Sequence, residues 1–145
     1  MTVKPIPDGY HSVTPYLVVP SVAKLIGFMK QVFDGIEIER IQGPDGRIAH
    51  AEVKIGDSII MMGEPKDDGS PMPATLYVYV PDTDAVYKRA LQAGATSIMV
   101  PSNQFYGDRN AGVKDFCGNH WYIGTRIENV TFEELKRRME AMGKK

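Results

Sequence analysis

His50-x-Glu52 places an imidazole and a carboxylate two residues apart. On a strand, residues i and i+2 share a face, so the pair can act together as an acid and a base or as two ligands of a displaced metal. It can equally form a plain polar face that hydrogen-bonds or meets solvent. Asp108 and Arg109 are neighbours, so on a strand they point to opposite faces and only one of them reaches a given cavity. A guanidinium there would clamp a carboxylate or phosphate in bidentate fashion, with Tyr106 stacked beside it. Cys117 stands three residues before His120. A nucleophilic thiol needs a base and a lowered pKa, and a turn seldom aligns such a pair, so Cys117 reads as a structural thiol. His11, beside Gly9-Tyr10, reads as a surface residue. His120 shares a face with Tyr122, where ligand contact and structural hydrogen bonding are both open.

These residues need a scaffold, and the chain writes one twice. "YLVVPSVAKLIGFMKQVFDG" from Tyr16 is answered by "YVYVPDTDAVYKRALQAG" from Tyr77. Each has an apolar strand, a proline, an N-cap residue (Ser21, Asp82), a helix and a glycine stop (Gly35, Gly94). "GDSIIMM" from Gly56 is answered by "GNHWYIG" from Gly118. The offsets between paired landmarks are 61 for the prolines, 59 for the glycine stops and 62 for the later glycines. Such constancy predicts two similar modules of about sixty residues.

In the first module Val22, Leu25, Ile26, Met29, Val32 and Phe33 follow the spacing of an amphipathic helix, and Asp34-Gly35 closes it. "IEIERI", the turn "GPDG", "AHAEVKI" and "SIIMM" follow. The second module repeats this order with Val86, Ala90, Leu91 and Ala93 on its helix. The fold class is therefore α+β, with two βαβββ modules at about 10–64 and 74–126 and a linker at 65–73. A C-terminal helix follows at about 131–142. It opens with a T-x-x-E capping box at Thr131 and Glu134, and its Phe132, Leu135, Met139 and Met142 would dock on the body or on a partner chain.

A four-stranded sheet with one helix covers only one of its faces. Alternation puts Leu17, Val19, Leu76, Val78, Ala49, Ala51, Val53, Ile55, Trp121 and Ile123 on the aliphatic, helix-facing side. Tyr16, His50, Glu52, Tyr77, Tyr79, His120 and Tyr122 fall on the other, which combines aromatic bodies with polar tips as a ligand cavity does. Flat aromatic compounds bearing an acidic group are the expected ligands, with Arg109 or His120 as the anchor. In the last turn, Asp115 is placed to bond nearby backbone N–H groups ahead of Gly118-Asn119.

The totals narrow the class. The chain has 145 residues, 43% apolar and 24% charged, with net charge −1, which fits one ordinary globular domain. Basic residues are scattered apart from Lys136–Arg138 and Lys144–Lys145, so there is no nucleic-acid footprint. One Cys excludes an internal disulfide framework. "MTVKPIPDGYHS" has no apolar run for a signal or a membrane span. A cytoplasmic protein is expected, without nucleic-acid or membrane partners.

Two βαβββ modules with a closing D-x-x-G-N-x-W entry resemble the vicinal oxygen chelate superfamily, the group of glyoxalase I, extradiol dioxygenases and bleomycin-resistance proteins. The resemblance spans roughly Tyr10 to Glu128, and "FYGDRNAGVKDFCGNHWYIGT" is its most specific part. It looks like the bleomycin-resistance and glyoxalase-like branch, which carries Y-G-D-R-x-G and D-P-F-G-x-x-W. Phe116-Cys117 departs from that pattern, where a Pro-Phe pair is commoner. The resemblance implies a curved, mixed, largely antiparallel sheet around a cavity, and a homodimer. Metal-dependent relatives use His, Gln or Glu at the start of each module and Glu near its end. Here those places fall on Thr14, Thr75, Tyr122 and either Ile60 or Met61, none an ordinary ligand for a catalytic divalent ion.

The leading expectation is a metal-independent small-molecule-binding protein with no cofactor, sequestering an aromatic or antibiotic-like compound. The ligand-binding set is Tyr16, His50, Glu52, Tyr77, Tyr79, Tyr106, Arg109, His120 and Tyr122. One alternative is a lyase, isomerase or dioxygenase using a relocated metal around His50 and Glu52. Another is an interaction module with a vestigial cavity.

Overall fold

The computed structural model describes residues 2–66 and 71–143. Part of the linker, 67–70, and Lys144–Lys145 lie outside the described residues. The order is β1 (Tyr16–Val18), α1 (Val22–Phe33), β2 (Ile36–Gln42), β3 (Ile48–Ile55), β4 (Ser58–Gly63), β5 (Thr75–Tyr79), α2 (Thr83–Gln92), β6 (Thr96–Asn103), β7 (Asp108–Lys114), β8 (His120–Arg126) and α3 (Phe132–Gly143). Two units of equal plan result, Met1–Ala74 and Thr75–Lys145. Each is a four-stranded mixed sheet, ordered β1-β4-β3-β2 in the first and β5-β8-β7-β6 in the second. The first and last strands of each module pair in parallel and the other neighbours are antiparallel. The repeat holds residue by residue, since Tyr16 faces Met61 and Tyr77 faces Tyr122, both at an offset of 61.

In the first unit, α1 buries Val22, Leu25, Ile26, Phe28, Met29, Val32 and Phe33, the stripe that helical spacing marks out. With Leu17, Ala51, Val53 and Met62 they form that unit's core, each large aliphatic side chain contributing about 1.5–3 kcal/mol by leaving water. The helix ends differ from expectation. Asp34, not Gly35, takes the left-handed conformation, with φ 56°. Gly35 is needed for close approach, because a Cβ there would stand 2.9 Å from Val53 Cγ1 and 3.0 Å from the Met29 carbonyl oxygen. At the other end the Val22 N–H is met by Glu64 Oε2, where a Ser21 cap is expected. The strict alternation read into "AHAEVKI" also breaks at its start. Ile48 is buried and Ala49 exposed, because the pairing with β2 shifts register between Ile41 and Gln42.

In the second unit, Val86 and Ala90 of α2 lie over Ala111, Val113, Trp121 and Ile123, all buried. Asp82 caps α2 by accepting the Ala85 N–H. The turn from β7 to β8 is tied by Asp115, which is 4% exposed. Its Oδ1 accepts from the amides of Cys117 and Asn119, at 2.8 and 3.0 Å. Its Oδ2 accepts from Asn119 Nδ2 at 2.9 Å and from the Trp121 indole at 2.7 Å. Cys117 is buried inside this turn.

Of the two places expected to cover the apolar residues of the last helix, α3, the chain's own body does not cover most of them. None of its residues is buried, and Phe132, Met139 and Met142 are exposed. Polar contacts anchor it instead. Arg138 donates to the Phe105 carbonyl and to both carboxylate oxygens of Glu128. Thr131 Oγ1 accepts the Glu134 N–H, half of the expected capping box, while the Glu134 carboxylate turns to Arg137 and Arg138. Among the described residues, no helix is long and apolar enough to cross a membrane.

Replacing Asp115 by Ala strands several buried donors at once, each costing about 1–3 kcal/mol. Asp115→Ala is expected to lose about 3 kcal/mol or more in denaturant unfolding, with Asp115→Asn losing less. A cost below about 1 kcal/mol would show that the turn does not depend on this carboxylate.

Candidate functional site

The second unit carries an open pocket of about 520 Å³, lined by Tyr77, Tyr79, Tyr106, Asp108, Arg126, Val130 and Leu135. Its floor is built by register. Tyr77 and Tyr79 share one face of β5, and Asp108 and Asn110 share one face of β7. Arg126 is paired directly across from Asp108. The Tyr77 ring lies so flat on β8 that a Cβ at Gly124 would stand 2.5 Å from its hydroxyl. Only glycine leaves that space.

The centre of the pocket is the Asp108 carboxylate, 2% exposed. Its Oδ2 accepts from the Tyr77 hydroxyl at 2.7 Å and the Tyr79 hydroxyl at 2.9 Å. Asn110 Nδ2 donates to the hydroxyls of Tyr77 and Tyr106. The Tyr77 and Tyr79 rings stand 5.1 Å apart at 53°. Burial, with the Asp108 carboxylate adding to it, pushes the Tyr77 hydroxyl well above its ordinary value. The hydrogen bond to Asp108 is the main cause that raises Tyr79. Both therefore stay protonated donors at neutral pH.

The first unit has a smaller cluster on the corresponding face. Glu52, 4% exposed, accepts from the Tyr10 hydroxyl at Oε1 and lies 2.7 Å from His50 Nε2 at Oε2. The Tyr16 ring stands 5.8 Å from the His50 ring. Burial pushes the Glu52 carboxyl up, but the bonds from Tyr10 and His50 outweigh it and leave the group below its usual range. The hydrogen bond to Glu52 pushes Tyr10 up to about 12.

The expected site residues thus fall into two groups. Tyr77, Tyr79 and Tyr106 gather around Asp108, and Tyr16, His50 and Glu52 gather in the first unit. Arg109 joins neither. Alternation turns it to the helix side, where Asp84 takes it in bidentate fashion and Asn103 takes Nη1. This placement takes Arg109 away from the tyrosines, and Asp108 is the member of the pair that reaches them. Tyr122 lies over Gly112, one strand from Tyr77. His120 shares its face but sits six residues from Arg126 along β8, about 20 Å away in extended chain. Tyr10, Asn110 and Arg126 are new. Asn110 shares the Asp108 face at i+2 and Arg126 closes β8, both readable from strand register. Tyr10 lies 42 residues from Glu52, and nothing local signals that contact.

The inherited metal positions supply hydroxyls, a phenol, an aliphatic chain and a thioether. Thr14 Oγ1 donates to the His11 carbonyl, and Ile60 is buried. This set does not fit a catalytic divalent ion. The relocated site fits no better, for His50 and Glu52 offer one imidazole and one carboxylate whose oxygens already accept. Among the described residues, no three His, Cys, Asp or Glu side chains gather as a metal site.

A profile of the Glyoxalase/Bleomycin resistance protein/Dioxygenase superfamily matches residues 9–123. An uncharacterized protein of Mycobacterium bovis is 34% identical over 143 residues, covering 91% of this chain and 94% of that protein. The crystal structure of TioX from Micromonospora sp. ML1 matches with a TM-score of 0.63 at 24% identity, covering 79% of this chain and 96% of that one. A glyoxalase/bleomycin resistance protein/dioxygenase family enzyme from Burkholderia phytofirmans PsJN matches with a TM-score of 0.64 at 22% identity, covering 77% and 95%. At these identities the two solved structures establish the fold alone.

The Glu52 cluster has a pH signature. A carboxyl held below its unfolded value stabilises the fold above that value and loses the contribution as pH falls through the folded one. Tyr10→Phe removes a bond that lowers Glu52, so less stability is lost in acid and the acid limb of thermal stability is expected to be shallower than in wild type. Glu52→Gln should flatten that limb. Melting temperatures between pH 7 and 3 check this, and superimposable profiles for wild type and Tyr10→Phe would refute it.

Proposed function

We propose that this chain, which belongs to the glyoxalase/bleomycin resistance protein/dioxygenase superfamily, is a small-molecule-binding member that takes an aromatic compound in the tyrosine pocket of its second module. The observation that carries this is the buried Asp108 carboxylate, held by Tyr77 and Tyr79 at the floor of an open pocket. Aromatic walls supply contact area and a few placed polar groups fix orientation, the usual composition of a ligand site. The tyrosine face is not filled by its own side chains, which argues against a vestigial cavity. The donor types at the inherited positions argue against a divalent centre, so binding and sequestration account for the site better than metal-assisted lyase, isomerase or dioxygenase chemistry. A lone buried Cys117 suits a reducing cytoplasm.

Stacking contributes about 0.5–1.5 kcal/mol per well-placed ring. Tyr79→Ala and Tyr106→Ala are each expected to weaken a planar ligand about 2- to 10-fold, read by thermal shift against a panel of aromatic compounds and antibiotics. A hit whose shift in both variants is the same as in wild type would place its site elsewhere.

The homodimer implied by the resemblance belongs to the same proposal. The exposed Phe132, Met139 and Met142 of α3 are apolar surface that a second copy would cover. Light scattering is expected to return about twice the monomer mass of 16.1 kDa at micromolar concentration. The monomer mass at that concentration would remove this part of the reading.

A further inference from the structure

The two oxygens of Asp108 are treated unequally. Oδ2 accepts from two tyrosine hydroxyls, whereas Oδ1 is buried and accepts no hydrogen bond. A buried polar atom of this kind is uncommon in native structures. The nearest cation, Arg126, holds Nε 3.4 Å from Oδ1, close enough for charge attraction but without hydrogen-bond geometry. Its Nη1 is directed instead to the carbonyls of Tyr106 and Glu128, at 2.8 and 3.4 Å. The Arg126 side chain is 50% exposed, so burial does not lock its guanidinium beside Oδ1. Tyr77 and Tyr79, whose hydroxyls hold Oδ2, line the same pocket, and the faces of such rings attract cations through their quadrupoles.

We infer that the pocket selects organic cations, protonated amines or amidiniums on an aromatic body, whose N–H takes the place of Arg126 against Asp108 Oδ1. This rests on the tyrosine pocket being the ligand site and names the class of compound it takes. A ligand ammonium brings what Arg126 does not: a donor compact enough to reach hydrogen-bond distance while its body lies on the rings. The buried carboxylate and the displacement of Arg109 to the helix side together reverse the expectation of an acidic ligand.

Three probes on one ring system separate the possibilities: 2-naphthylmethylamine, 2-naphthylmethanol and 2-naphthoate. Titration calorimetry at neutral pH is expected to show the amine binding at least about tenfold more tightly than the alcohol, which is about 1.4 kcal/mol, and the naphthoate weakest. Asp108→Asn should erase the difference between amine and alcohol. Arg126→Gln should leave the amine as tight or tighter, since it removes the guanidinium beside Oδ1. Added salt should weaken the amine and spare the alcohol, a readout that needs no variant. Equal binding of amine and alcohol, or tightest binding of naphthoate, would overturn the cation inference and leave the pocket standing. So would an Arg126→Gln protein that loses the amine as Asp108→Asn does. If none of the three binds up to millimolar concentration, or if their binding is unchanged in Tyr79→Ala, the pocket reading falls as well.

Discussion

Asp115 gathers the amides of Cys117 and Asn119, the Asn119 side chain and the Trp121 indole onto one buried carboxylate, and the second module is aligned from that point. The turn it closes sets where β8 begins. Because side chains alternate along a strand, the start decides that Trp121 and Ile123 go inward under α2 while Tyr122 goes to the opposite face. The same start fixes the pairing of β8 with its neighbours, which sets Arg126 across from Asp108 and Tyr77 across from Tyr122. A slip of one residue would exchange the two faces. The polar density of the stretch from Gln104 to Trp121 is thus mainly structural, and Tyr106 and Asp108 are its parts that line the pocket.

The two modules share a plan and diverge in chemistry. Glu52 is paired with Met61, and Gly112 with Tyr122, so the position that holds a carboxylate in one module is bare in the other and lies beneath a tyrosine. The second module carries its carboxylate at the start of β7. In the first module both Glu52 oxygens are engaged by this chain's own Tyr10 and His50. In the second, one Asp108 oxygen accepts no hydrogen bond and has only the Arg126 guanidinium, at 3.4 Å, beside it. The first arrangement is complete in itself, and the second has an acceptor to offer.

Most of the scaffold was legible because it rests on periodicity. The α1 stripe, the repeat, the βαβββ succession of elements along each module and the inward Trp121 all follow from spacing and alternation, whereas the order of strands across each sheet does not. Reading stopped where a local rule met a tertiary one. Gly35 looks like a left-handed cap, but the demand on it comes from Val53, which faces it across the fold. Thr131 and Glu134 match a capping box, yet two arginines compete for the Glu134 carboxylate. The site shows the same division. Alternation sorts Tyr77 and Tyr79 onto one face, and it separates Asp108 from Arg109 without saying which points where. That choice depends on Asp84, supplied by a helix earlier in the chain.

The parallel pairing of β1 with β4 and of β5 with β8 also bears on how the molecule is made. Each module's first strand gains its sheet partner only when its last strand has been synthesised, so neither sheet can close strand by strand. Such non-local contacts slow folding, because loop entropy is lost before the pairing rewards it. Each closure, however, lies within one unit. On a ribosome that adds about 5–20 residues each second, the first module can complete its sheet several seconds before β8 emerges. Its β1 has then already found β4, and the near-identical plan of the second module arrives too late to compete for the wrong partner.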